Sequence, residues 1–152
     1  MKEAILCTLC ACMPFLSHAQ GNGYLGRCYK GDVALGLNVD FGCESGGACL
    51  FTTHGLQLNE TWFVGGGIGY ENEMFPLYVD AKAYFRKREM KVNPWTETKL
   101  GFDMFNGGCY LSPSVGIALP LMKDYALTVA LAWGMNTYYA EHNIGLRVGF
   151  QF

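Results

Sequence analysis

The chain closes on Ile144-Gly145-Leu146-Arg147-Val148-Gly149-Phe150-Gln151-Phe152, an unbroken two-residue alternation. Every even position is a large apolar residue, and the odd ones are glycine, arginine and glutamine. Successive side chains of a strand point to opposite sides, whereas a helix brings every third or fourth residue together. The stretch therefore reads as a strand with one oily face and one small or polar face.

The same pattern recurs upstream, in runs separated by turn residues. Val33 to Phe41 alternates with Asp32, Ala34, Gly36, Asn38 and Asp40. A second run covers about 50–58, with Leu50, Leu56 and Leu58 on the oily side and Thr52 and His54 as weaker members. Runs over 62–70 and 77–86 follow, then 97–104, 111–121, 126–135 and the closing strand at 144–152. The count is eight strands, and antiparallel pairing of neighbours predicts an all-β, eight-stranded up-and-down transmembrane β-barrel. Asn59-Glu60 and Lys123-Asp124 make short connections, 87–94 a longer one, and 42–49 the first loop. An even strand number puts both termini on the periplasmic side of such a barrel.

Composition agrees with this reading. Of 152 residues, 51% are apolar and only 16% charged, with a formal net charge of -2. Soluble domains carry about a quarter charged residues, and the charge balance leaves no basic footprint for nucleic acid.

Alternation alone does not say which face is inside, because a soluble carrier barrel alternates too, with its oily face inward. The polar face here is rich in Gly, Ala, Ser and Thr, which suits the narrow interior of eight strands. A surface facing water would carry more Lys and Glu. Aromatic residues gather near strand ends, as in a membrane girdle: Phe41 and Tyr70 at one rim, Trp62, Phe85, Tyr125 and Phe150 at the other. Asp32, Asp40, Asp80, Lys82, Glu97, Lys99, Asp103 and Arg147 share the small-residue face. A Lys or Arg on a lipid face costs roughly 2–4 kcal/mol at the midplane. That set would exhaust a net stability of about 5–15 kcal/mol. These charges are expected inside, as a polar network that plugs the lumen.

The first 19 residues read as a secretory signal: Lys2, an apolar stretch Ala4 to Leu16, and Ser17-His18-Ala19 before Gln20. The barrel domain is then 20–152, exported through a cleaved signal peptide. Leu9-Cys10-Ala11-Cys12 only loosely resembles a lipoprotein site. Cys28, Cys43, Cys49 and Cys109 remain after cleavage. Cys43 and Cys49 flank the first loop and are candidates for a disulfide in an oxidising compartment. Paired Cys/His spacing for a metal is missing, and no cofactor motif is present.

With these residues in view, the chain resembles the small outer-membrane β-barrel family of Bacteroides-type bacteria, architecturally related to OmpA- and OmpX-like barrels and often labelled porin-like. The resemblance covers about 27–152 and rests on four stretches. They are Thr53-His54-Gly55-Leu56-Gln57-Leu58, Trp62-Phe63-Val64-Gly65-Gly66-Gly67-Ile68-Gly69, Leu111-Ser112-Pro113-Ser114-Val115-Gly116 and Leu146 to Phe152. It implies a bacterial outer-membrane location, contact with outer-membrane lipids, and Phe152 as the signal read by the barrel assembly machinery. It implies no defined activity and identifies no extracellular ligand.

Chemical motifs are weak. Gly65-Gly66-Gly67-Ile68-Gly69 lacks the following helix of a phosphate loop, and its odd-numbered glycines read as room for bulky neighbours. His54 lies on the oily register while Ser112 and Ser114 lie on the other, so a Ser–His hydrolase is disfavoured. The expectation is a structural or surface-interaction protein without enzymatic activity. A narrow porin-like channel is the alternative, and a lipid-modifying enzyme ranks last.

Overall fold

The computed structural model describes residues 29–40, 46–85, 92–122, 125–137 and 141–152. The signal at 1–19, Cys28, Phe41, Cys43 and the turn at Lys123-Asp124 lie outside them. Eight strands close into one antiparallel barrel in chain order. They are β1 (Tyr29–Asp40), β2 (Gly46–Gln57), β3 (Trp62–Glu71), β4 (Pro76–Tyr84), β5 (Asn93–Asp103), β6 (Cys109–Pro120), β7 (Ala126–Asn136) and β8 (Glu141–Gln151). The seam joins β1 to β8, with Val33 opposite Phe150 and Leu37 opposite Leu146. Reciprocal backbone bonds of 2.9 Å between Gly31 and Phe152 finish it. Tyr29 and Phe152 thus share one rim, the terminal rim; the turns after β3 and β5 lie at the far rim.

The strand count and order agree with the sequence reading, but several boundaries differ. β2 begins at Gly46, so Cys49 is a strand residue on the inner face rather than part of the first loop. β5 begins at Asn93, four residues before its expected start. Both shifts have one cause. Cys49, Phe51 and Trp95 are apolar residues that point inward and are buried, so the local contrast between faces vanishes there.

Turn chemistry sets the hairpins. After β2, Asn59 Oδ1 accepts from the backbone N–H groups of Thr61 (2.8 Å) and Trp62 (2.7 Å), a side-chain mimic of a backbone turn. After β3, Asn72 and Glu73 both take positive φ, 44° and 66°. That matches the twist of a two-residue hairpin, and Glu71 and Met74 close it with reciprocal backbone bonds.

The outward face is mainly apolar, with Thr52 and His54 on β2 and Thr98 on β5 among its polar members. Leu37, Val64, Val79, Leu100, Val115, Leu131 and Leu146 are among its exposed residues, Leu37 to the extent of 70%. Inside, aromatic rings occupy the space that glycines leave. Tyr78 lies across from Gly67 and Gly101, Phe51 from Gly69, and Trp95 from Gly116. Phe51, Tyr78 and Tyr110 form one buried cluster with Cys49, with Phe51–Tyr78 centroids 5.9 Å apart. Trp95, Ala118 and Ala130 form a second.

This fit is tight enough to test. A Cβ on Gly116 would sit 2.6 Å from Trp95 Cζ2 and 2.5 Å from the Val129 carbonyl oxygen. Overpacking of this kind costs about 1–3 kcal/mol. Gly116→Ala is expected to lower the urea midpoint accordingly, whereas Gly107→Ala, in a turn with φ 78° where a Cβ would meet only Phe102 Cζ at an ordinary 3.9 Å, is strained only locally and should leave the Trp95 fluorescence unchanged.

Candidate functional site

The charged residues of the inner face divide into two groups along the barrel. In the lower group, nearer the terminal rim, Lys82 Nζ stands 2.6 Å from Asp32 Oδ2 and 3.0 Å from Glu97 Oε1. Lys99 Nζ stands 2.5 Å from Glu97 Oε2, which also accepts from Ser114 Oγ at 2.9 Å. Strand register sets Lys82 opposite Glu97 and Asp80 opposite Lys99, although the Asp80 carboxylate makes no ion pair among the described residues. The ammonium of Lys82 lies 4.7 Å from the Trp95 ring centroid, and that of Lys99 lies 5.5 Å from Tyr78, so aromatic faces replace some of the lost hydration. All five residues are buried.

The second group surrounds Arg147. Its Nη2 donates to Glu71 Oε1 (3.3 Å), Tyr110 Oη (3.4 Å) and Ser112 Oγ (3.1 Å). The guanidinium carbon lies 4.2 Å from the centroid of Phe51. Glu71 in turn accepts from Tyr110 Oη at 2.6 Å and from Asn38 Nδ2. Cys49 Sγ, a free thiol, donates to Asn38 Oδ1 at 3.7 Å. Cys49 thus faces the interior, and Cys43, its candidate disulfide partner, lies outside the described residues.

Asp40 and Asp103 stand apart from these groups, at the far rim. Asp40 is half-buried and accepts from Asn72 Nδ2 at 2.7 Å. Asp103 Oδ1 accepts from the N–H groups of Phe75 (3.0 Å) and Phe105 (3.1 Å), capping the turn after β5. Met74 is buried beside it, with its sulfur accepting from Asn136 Nδ2 at 3.0 Å. Of the eight charged positions singled out in the sequence, five form the lower group, Arg147 anchors the second, and two sit at the far rim.

The sequence reading did not single out Glu71, Tyr110 or Asn136, and it placed Asn38 on the inner face without a role in the network. Glu71 carries the same parity as Phe63, Gly65, Gly67 and Gly69, so its inward aim was available from register. The run read over 62–70 stops one residue short of it.

The other singled-out residues face outward. Trp62, Tyr70, Phe85, Tyr125 and Phe150 are exposed, and Tyr125 stacks on Phe150 with centroids 5.6 Å apart. Phe152 packs edge-on to His54 at 6.3 Å and covers Gly31. His54 Nδ1 shares a 2.5 Å hydrogen bond with Tyr29 Oη, and Nε2 one of 3.1 Å with Thr52 Oγ1. Ser112 and Ser114 are engaged with Arg147 and Glu97 on the opposite face. A nucleophile–base pair needs hydrogen-bond reach, and these serines and His54 are on different sides of the wall.

Cavities lie along the interior among the described residues. One of about 370 Å³ opens at the terminal rim, lined by Lys30, Gln57, Tyr84, Asn93 and Gln151 among others. Another, of about 20 Å³, lies among the two ion groups.

The fold and this inside-out distribution define the class of eight-stranded barrels met in outer membranes. No family model and no curated protein matches the chain. Among solved structures it is similar to the N-terminal β-barrel domain of Pseudomonas aeruginosa OprF: 14% identity, 81% of this chain, 97% of that one, TM-score 0.56. It is likewise similar to Neisserial surface protein A, at 14% identity over 81% of this chain and 94% of that one, TM-score 0.58. A de novo designed transmembrane β-barrel matches at 12% identity over 81% and 95%, with a TM-score of 0.57. At these identities the likeness is one of fold.

Proposed function

We propose that the chain is an integral barrel protein of a bacterial outer membrane, exported behind the 1–19 leader and of the Bacteroides-type small-barrel family. Its interior is closed to solutes, and its role is structural or carried by its exposed ends. One observation carries this reading: the apolar side chains face out on all eight strands, while the ion pairs are sealed within. A protein surrounded by water has the reverse preference.

Rows of leucine and valine then contact lipid chains, the exposed rings at the terminal rim lie at headgroup level, and Phe152 is the segment offered to the assembly machinery. The closed interior follows from packing. Eight strands leave room for side chains rather than for a water-filled path, and the rings, the two ion groups and Met74 occupy the barrel between the open cavity at the terminal rim and the far rim.

Planar-bilayer recording tests the closed lumen. Purified, refolded protein is expected to give a silent trace, and reproducible unitary steps would establish the porin-like alternative instead. On a denaturing gel, unboiled protein should migrate apart from boiled protein, and cell fractionation should place it with the outer membrane.

A further inference from the structure

We propose that the centre of the barrel binds one water molecule, which joins the two ion groups into a single hydrogen-bonded network. The inference deepens the closed-lumen reading and rests on it.

The site is the inner cavity of about 20 Å³. A single water requires roughly 10–15 Å³ of such space and two to four polar partners. Among its lining residues are Asp32, Glu97, Trp95, Thr128 and Arg147. Two of these bring buried donors that no protein acceptor meets: Trp95 Nε1, and Nε and Nη1 of Arg147. Both side chains are at least nine-tenths buried. An indole or guanidinium N–H buried without an acceptor bears its full desolvation penalty, so the wall calls for something that accepts.

What accepts must also suit the rest of the wall. Asp32 and Glu97 present carboxylates, which would repel an anion. Arg147 and Lys99 present positive charge, which would repel a cation. A neutral molecule that accepts from N–H groups on one side and donates to carboxylates on the other satisfies both, and at this volume that molecule is water. Its position has a structural consequence. Arg147 reaches Glu71 directly, and Glu97 reaches Lys82 and Lys99. The water supplies the step between them, so the two groups act as one polar core.

The indole proton of Trp95 reports on the site. The chain has three tryptophans, and Trp62 and Trp133 are exposed on the outer face, so three indole resonances are expected and Trp95→Phe assigns the inner one. In refolded, isotope-labelled protein in detergent micelles, this proton should show a laboratory-frame cross-peak to water with the sign of the diagonal and a rotating-frame one of opposite sign, which together mark contact with a long-lived water rather than proton exchange. Ala130→Val, which fills the cavity from the adjacent wall, should abolish that peak while the indole signal persists. Replacing chloride by bromide should leave the peak position unchanged.

A protected indole proton with no water contact would overturn the water site and leave the closed lumen standing. A proton exchanging as fast as an exposed indole would overturn the closed lumen itself. A shift that follows the halide would identify an anion site in place of water.

Discussion

Lys82→Met is expected to destabilise the barrel by about 3–5 kcal/mol, the cost of leaving a buried charge without its partner. Lys82 is the shared cation of the lower group, 2.6 Å from Asp32 and 3.0 Å from Glu97. Methionine keeps most of the stem that packs toward Phe63 and Trp95, so the substitution isolates the charge from the volume. The two carboxylates do not suffer equally. Glu97 retains Lys99 at 2.5 Å and Ser114 at 2.9 Å, whereas the ion pair of Asp32 is the one with Lys82. Asp32→Asn added to Lys82→Met should therefore recover more than half of the loss. Equilibrium urea unfolding in lipid vesicles, read by tryptophan fluorescence, measures both. A loss below about 1 kcal/mol for the single variant is what a solvated surface pair would give, and it would mean that water reaches the group.

The sequence disclosed the barrel more fully than its contents. Alternation on the outward face is a local property: Ile144 to Phe152 announces itself without knowledge of any other strand. Closure and strand order follow from eight such runs with short connections. The interior is different, because its contacts are set by which strands face each other across the barrel. Asp32 and Lys82 are 50 residues apart and Glu71 and Arg147 are 76 apart, and no periodicity encodes those meetings. Parity still placed Asp80, Lys82, Glu97 and Lys99 on one inner face of β4 and β5. It faltered at Phe51, Trp95 and Tyr110, where an aromatic residue points inward beside an apolar neighbour pointing out. These are positions where a glycine on the next strand, such as Gly69 or Gly116, makes the space. The information was present as a pairing between strands, and a one-dimensional reading has no access to it.

Leu131→Arg is the substitution that decides which solvent surrounds the barrel. Leu131 lies midway along β7, is 54% exposed, and stands between Val115 of β6 and Leu146 of β8, both also exposed. If that face meets hydrocarbon, an arginine there costs about 2–4 kcal/mol, falling to about 0–1 kcal/mol near the interface. Leu121→Arg, just beyond the end of β6 and comparably exposed at 58%, supplies the shallow comparison. If the face met water, both changes would be surface substitutions within about 0.5 kcal/mol of wild type. The expected result is thus a difference between two leucines of similar exposure that only depth in a membrane can create. Unfolding must be followed in lipid vesicles, because a micelle deforms around an arginine and blunts the contrast. Equal and small effects at the two positions would remove the membrane from the account, and with it the reason for holding ion pairs inside a wall of leucine and valine.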